Sequence, residues 1–225
     1  ISVINAMIIN NIIPVFIYPE QSSVFGISKG ISPESVEKAA SSNPDAKGIL
    51  ITSPTYYGVC SDIKSIAEIA HKHNMALIVD EAHGAHFAFC GGLPSTALSS
   101  GADFVVQSAH KTLRCLTQGA MLHIGSAEID HVKVKNILNM LQTTSPSYLI
   151  MQSIEESVID MQSKRERLEK LIDTCNELRQ KLNSTNKFLC MGKDDEFFSY
   201  DETRLVINSN TYMQDILYKK YNIIC

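Results

Sequence analysis

At 225 residues the chain is long enough for one large domain or one and a half, and its 44% apolar content is that of a globular protein. The formal net charge of −4 supplies no basic field, which argues against nucleic acid as a partner. No apolar run reaches the roughly 18–20 residues a membrane helix needs, so no helical span is expected.

In chain order, the strand candidates are Ile13–Tyr18, Gly48–Ser53, Ala76–Asp80, Asp103–Gln107 and Ala120–Ile124. "GILITS", "ALIVD" and "DFVVQ" are apolar without alternation, so both faces of a parallel sheet covered by helices are expected to be buried. Between them lie two helix candidates. Pro33–Ser42 follows Ser32 as N-cap, with Pro at the first helical position. Asp62–His73 follows Ser61 and repeats Ile63, Ile66, Ala67 and Ala70 on one face. The order β-α-β-α-β gives an α/β class, a mostly parallel sheet flanked by helices. The short link from Gln107 to Ala120 is tight for a crossover, so the strand at 120–124 is expected to return antiparallel.

From Ala127 to about Leu182 the pattern is helical, broken at "TTSPS" (143–147). Its second part, "MQSKRERLEKLIDTCNELRQKL", reads as one long amphipathic helix, with "KRERLEK" as solvated face. "TRLVINS" (203–209) reads as a strand of a small, incomplete α+β unit. The division drawn is 1–160 as a partial large domain and 161–225 as a linking helix with that unit.

The ends also carry expectations. The chain opens on "ISVINAMIIN" without Met, a basic leader or a cleavage site, and "LYKKYNIIC" reads as the start of a strand. A fragment cut at both ends is expected. Cys60, Cys90, Cys115, Cys175, Cys190 and Cys225 form no C-x-x-C pair and read as reduced thiols in a cytoplasm.

Three polar stretches fall at C-terminal strand ends: "SPTYYG" (53–58), "DEAHGAH" (80–86) and "QSAHK" (107–111). That edge is where open α/β sheets bind ligands. Each stretch alone is consistent with a solvated loop. Together they bring an acid, histidines and a lysine to one edge. An Asp ending one strand and a Lys ending the next suits a pyridoxal phosphate site. The lysine amine forms a Schiff base with the cofactor aldehyde, and the Asp keeps the pyridine nitrogen protonated. Asp80 and Lys111 fit by position, while Glu81 is expected to point elsewhere.

"TSPTYYGVCSDI", "VDEAHGAHF", "GADFVVQSAHKTL", "LTQGAMLHI" and "TSPSYLIMQSIE" resemble the Orn/Lys/Arg decarboxylase family, fold-type I pyridoxal enzymes, and most of all its shorter Gram-positive members. The resemblance runs over about residues 1–160 and more loosely through "DETRLVIN". It implies decarboxylation of arginine, lysine or ornithine by a cytoplasmic homodimer or higher homo-oligomer. It makes Lys111 the attachment lysine and Asp80 the pyridine partner. His83 then faces the cofactor or substrate, and Ser108 and His110 lie by the phosphate or the lysine. Thr55 and Tyr56 belong to the loop near the ring edge. Departures from the family pattern are Arg114-Cys115, where small residues are usual, and Gly119, where Ser, Thr or Ala is typical. The family's phosphate-binding turn and ring-stacking His would lie upstream of Ile1.

Three other readings compete. "LIVDEAH" matches the acid box of nucleotide-hydrolysing helicases, but no G-x-x-x-x-G-K-[ST] loop accompanies it. His83 and His86, with Asp80, Glu81 and Cys90, offer metal-ligand types at a spacing that fits no strong template, so no metal is assigned. An inactive paralogue that keeps the fold is the third. Cys60 and Cys115 read as small apolar fillers.

Overall fold

The computed structural model describes residues 2–192, 196–209 and 212–224. In chain order the elements are α1 (Ser2–Ile9), α2 (Pro33–Ser42), β1 (Gly48–Thr52), β2 (Val59–Cys60), α3 (Ile63–Lys72), β3 (Ala76–Asp80), β4 (Phe104–Gln107), the one-turn α4 (Ala109–Thr112) and β5 (Met121–Ile124). They continue with α5 (His131–Leu141), α6 (Tyr148–Ser163), α7 (Arg165–Ser184), β6 (Leu189–Cys190), β7 (Ser199–Tyr200), β8 (Ile207–Asn208) and α8 (Tyr212–Tyr221). The central sheet has the order β1-β3-β4-β5. Its first three strands are parallel, and β5 returns antiparallel to β4.

Local chemistry sets the helix starts. The Ser32 hydroxyl caps α2 by accepting the Ser35 N–H. For α3 the cap is Asp62, not Ser61: its carboxylate takes the Ser65 N–H at 3.1 Å and the Ser65 hydroxyl at 2.7 Å. Ser61 instead accepts the Ile31 N–H at 2.9 Å. Ile51, Leu77, Val79 and Val105 point from the sheet onto Val36 and Ala40 of α2 and Ile63, Ile66, Ala67 and Ala70 of α3. Burial of this surface is the main term holding the unit together.

The expected second buried face is not found. Burial alternates along β1, β3 and β4, and Leu50 and Val106 remain 44% and 40% exposed. Among the described residues no helix covers that face.

Four local expectations are corrected. Ile13–Tyr18 is not a strand: it pairs with no neighbour, Ile13 is 92% exposed, and Pro14 removes a ladder donor. The long charged helix is interrupted at Lys164 (φ −129°, ψ 40°), which splits it into α6 and α7. "TRLVINS" keeps only Ile207–Asn208 as strand, paired with Leu189–Cys190. "LYKK" belongs to α8, where Asp215 and Lys219 pair one turn apart at 2.8 Å; Cys225 lies outside the described residues.

α7 buries Leu168 and Ile172 against Ala85, Phe87, Phe89 and Leu93, and against Ala109 and Leu113. It therefore packs under both segments that follow β3 and β4. Its buried Arg179 donates to the carbonyl oxygens of Met191, Glu202 and Arg204 and to Asn176, which fastens the C-terminal strands to the helix. No disulfide joins the cysteines among the described residues. No described helix is long and apolar enough to cross a membrane.

Candidate active site

Register brings the three loops together. Thr52 lies beside Asp80, and Asp80 beside Val106, so β1, β3 and β4 end level. In-register side chains of parallel neighbours share a face. Asp80 thus stands at the end of the sheet's open face.

Asp80 is half-buried, and its Oδ1 accepts the Ala82 N–H at 3.1 Å. Its other oxygen bonds to no described residue. Glu81, next in the chain, turns inward and is buried. It accepts the Ala97 N–H at 2.7 Å and the Gln107 side-chain amide at 2.6 Å. Gln107 in turn lies 2.9 Å from His123. Burial raises the Glu81 carboxyl to about 7 despite the two donors.

Lys111 follows β4 within the single turn of α4, and its Nζ reaches 3.3 Å from His83 Nε2. Tyr56 meets the His83 ring edge-on, with centroids 5.6 Å apart. Burial, then the Lys111 and Arg204 charges, lower the His83 pKa, with Asp80 opposing. A neutral imidazole with Nε2 accepting from Lys111 follows. Its Nδ1 is enclosed and bonds to no described residue.

The remaining candidates are placed differently. Ser108 is half-buried, and its hydroxyl makes no bond to a described residue. His110 Nδ1 lies 2.9 Å from the Gly119 carbonyl, so this ring faces the loop that follows α4. Thr55 closes its own turn: its hydroxyl accepts the Val59 N–H at 3.2 Å, and its N–H donates to the Val59 carbonyl at 2.8 Å. The structure therefore gathers Lys111, His83, Asp80 and Tyr56, while Thr55 and His110 are held within their own segments. His83 and His86 diverge. His86 is buried, with Nε2 3.0 Å from Asp201 Oδ2.

Positions 115 and 119 adjoin in space. A Cβ on Gly119 would lie 2.9 Å from Cys115 Sγ, so the sulfur occupies the room a larger residue would need. Sequence reasoning missed Arg204 and Asp201. A signal was present in "DETRLVIN", which carries the looser part of the resemblance, but "TRLVINS" by itself reads only as a strand. Arg204 comes close enough to His83 to disfavour its protonation, and its Nε lies 3.6 Å from Asp201 Oδ2.

Among the described residues, bonding capacity remains on the exposed Lys111 amine, which meets His83, on one Asp80 oxygen, on the Ser108 hydroxyl and on the enclosed His83 Nδ1. They match the needs of an aldehyde, a protonated ring nitrogen and an anionic or hydroxyl-bearing periphery, so the residues present fit pyridoxal phosphate.

Comparison with known proteins decides the family. Residues 1–211 match the Orn/Lys/Arg decarboxylase major domain. The chain belongs to the Orn/Lys/Arg decarboxylase family. Arginine decarboxylase of Bacillus subtilis is 38% identical over 92% of this chain and 43% of its own length. That of Halalkalibacterium halodurans is 36% identical over the same shares. The chain thus spans less than half the length of these decarboxylases. Lysine decarboxylase A from Pseudomonas aeruginosa superposes with a TM-score of 0.72 at 21% identity, over 92% of this chain and 35% of that one. This likeness shows the fold, the large domain of fold-type I pyridoxal enzymes.

Proposed function

We propose that the protein decarboxylates a basic amino acid (arginine, lysine or ornithine) to the corresponding amine and CO2, using pyridoxal phosphate attached to Lys111. The observation that carries this reading is the 3.3 Å approach of Lys111 Nζ to the neutral imidazole of His83, beside Asp80 at the adjoining strand end. Arginine is the first substrate to test, because the two relatives matched over 92% of this chain at 38% and 36% identity are arginine decarboxylases.

Each residue's role follows from its chemistry. Lys111 must lose a proton to act as nucleophile, and His83 Nε2 is placed to take it. Tyr56 holds the His83 ring edge-on. Asp80 keeps a proton on the cofactor's ring nitrogen through its free oxygen, a charge-assisted bond. Ser108 supplies a hydroxyl toward the phosphate. His110 braces the loop after Lys111, and Thr55 shapes the turn that presents Tyr56. When bound, the cofactor supplies an electron-accepting ring that lets the α-carboxylate leave as CO2. We assign residues 1–160 to the cofactor-binding unit and 161–225 to the linking helix and small unit. The protein is proposed to work in the cytoplasm as a homodimer or larger homo-oligomer.

The test is to incubate the protein with pyridoxal phosphate, reduce with borohydride, map the labelled peptide, and assay CO2 release from the three amino acids. A label on Lys111 with release of CO2 is expected. A label on Lys64 or Lys72 would end the assignment, and a label on Lys111 without CO2 from any of the three would leave a binding-only paralogue.

A further inference from the structure

Two of the three loops that present the site, those after β1 and β3, meet at one residue of the C-terminal segment. The Asp201 N–H donates to the Gly58 carbonyl at 2.9 Å, just after β7 pairs with β2 (Tyr200 with Val59, Ser199 with Cys60). That fixes the loop bearing Thr55 and Tyr56. The Asp201 side chain, fully enclosed, reaches the other loop. Its Oδ2 lies 3.0 Å from His86 Nε2, three residues beyond His83. The two atoms are in close polar contact inside the protein, although not aligned as a directed hydrogen bond. Oδ1 is satisfied within its own turn by the Thr203 hydroxyl at 2.6 Å and the Thr203 N–H at 3.0 Å.

The approach is tight. Gly58 has φ +86°, and a Cβ there would lie 3.0 Å from Arg204 Cγ and 3.1 Å from Asp201 Cβ. Only glycine meets both demands. The turn is anchored from behind by Arg179, which holds the carbonyls of Glu202 and Arg204. A buried carboxylate is costly unless its oxygens are met by polar partners, so its place between two site loops calls for a role.

We propose that Asp201 is a positioning residue for the site, tying the Tyr56 loop through Gly58 to the His83 loop through His86. This rests on the reading of Lys111, His83 and Asp80 given above. Without the tie, the edge-on contact of Tyr56 with His83 has no fixed geometry, and His83 Nε2 is no longer aimed at Lys111. His86 acts only through Asp201.

The test uses amide hydrogen exchange and needs no cofactor. Asp201→Asn keeps the shape and removes the charge; His86→Gln removes the other half. In both, amides of residues 55–61 and 82–87 are expected to exchange at least about tenfold faster, while Leu77, Val79 and Val105 in the central strands hold their protection. The exchange His86→Asp with Asp201→His should restore much of the protection. kcat/KM for CO2 release should fall in step with loop protection across the three variants. A uniform rise across the protein, or no change in the two loops, would overturn the proposal. Because exchange is read on the protein alone, selective loosening in a protein that never takes up the cofactor would sink the decarboxylase reading and leave the tie standing.

Discussion

Glu81 and Gln107 are joined inside the protein by a 2.6 Å hydrogen bond that links the loop after β3 to the end of β4. The bond places a carboxylate, raised to about 7, directly behind Asp80. The two adjacent acids are therefore placed differently, one at the open end of the sheet and the other buried beneath it.

A pH dependence follows from Glu81. Its native pKa of about 7 lies above its ordinary value of 4.5, so the folded chain binds its proton more tightly than the unfolded chain. The stability contribution is complete below about pH 4.5 and is lost as pH rises through about 7, amounting to roughly 3 kcal/mol. Glu81→Gln should remove this slope. Urea unfolding of parent and variant at pH 5 and pH 8 checks it: parent stability should fall relative to the variant between the two. An unchanged difference would mean the carboxyl titrates normally.

Asp80→Asn should leave the melting temperature nearly unchanged, because only one oxygen is engaged, with the Ala82 N–H. Turnover should drop by roughly two to three orders of magnitude if the free oxygen stabilises charge on the cofactor. Glu81→Gln should show the reverse balance, with stability altered more than turnover. Equal losses of turnover in the two would count against the assigned roles.

His83 is held below the ordinary imidazole range, first by burial and then by Lys111 and Arg204. The acid limb of cofactor attachment at Lys111 should therefore lie below that range. In Arg204→Gln one cation is gone, so the limb should move to higher pH. The visible absorbance of attached cofactor, followed against pH, reads both. No movement of the limb would show that Arg204 does not act on His83.

Arg179 is buried and serves three backbone carbonyls. Arg179→Met should cost about 3–5 kcal/mol, since the stranded acceptors cannot find water. Arg179→Lys should recover little, because an ammonium cannot span the fork. Chemical unfolding gives the answer directly, and a loss below about 1 kcal/mol would mean water replaces the guanidinium.

What the sequence showed and what it hid divide along range. The β-α-β order, the Ser32 cap and the reversal at β5 were legible because hydrophobic runs, caps and connection lengths are local signals. Lys111 and Asp80 were legible as polar residues ending apolar strands. The open sheet face was not: the "ALIV" ahead of Asp80 is apolar throughout, and such a run does not say which face is covered. Ile13–Tyr18 has strand-forming side chains but no partner. In α8 the aromatic and β-branched residues hid a helical period supported by Asp215 and Lys219. The contacts of Asp201 with His86 and Gly58 join distant parts of the chain, and nothing in either segment alone announces them.

Cys115 and Gly119 share one space, since the sulfur stands where a side chain at 119 would begin. A Cβ at 119 would also lie 3.1 Å from the Leu116 carbonyl oxygen and 3.2 Å from Ile154 Cγ1, so shortening Cys115 would relieve one of three close contacts. The loop after the lysine is thus closed around position 119 by its own backbone, by a thiol and by α6 together, and a larger residue there would have to move all three.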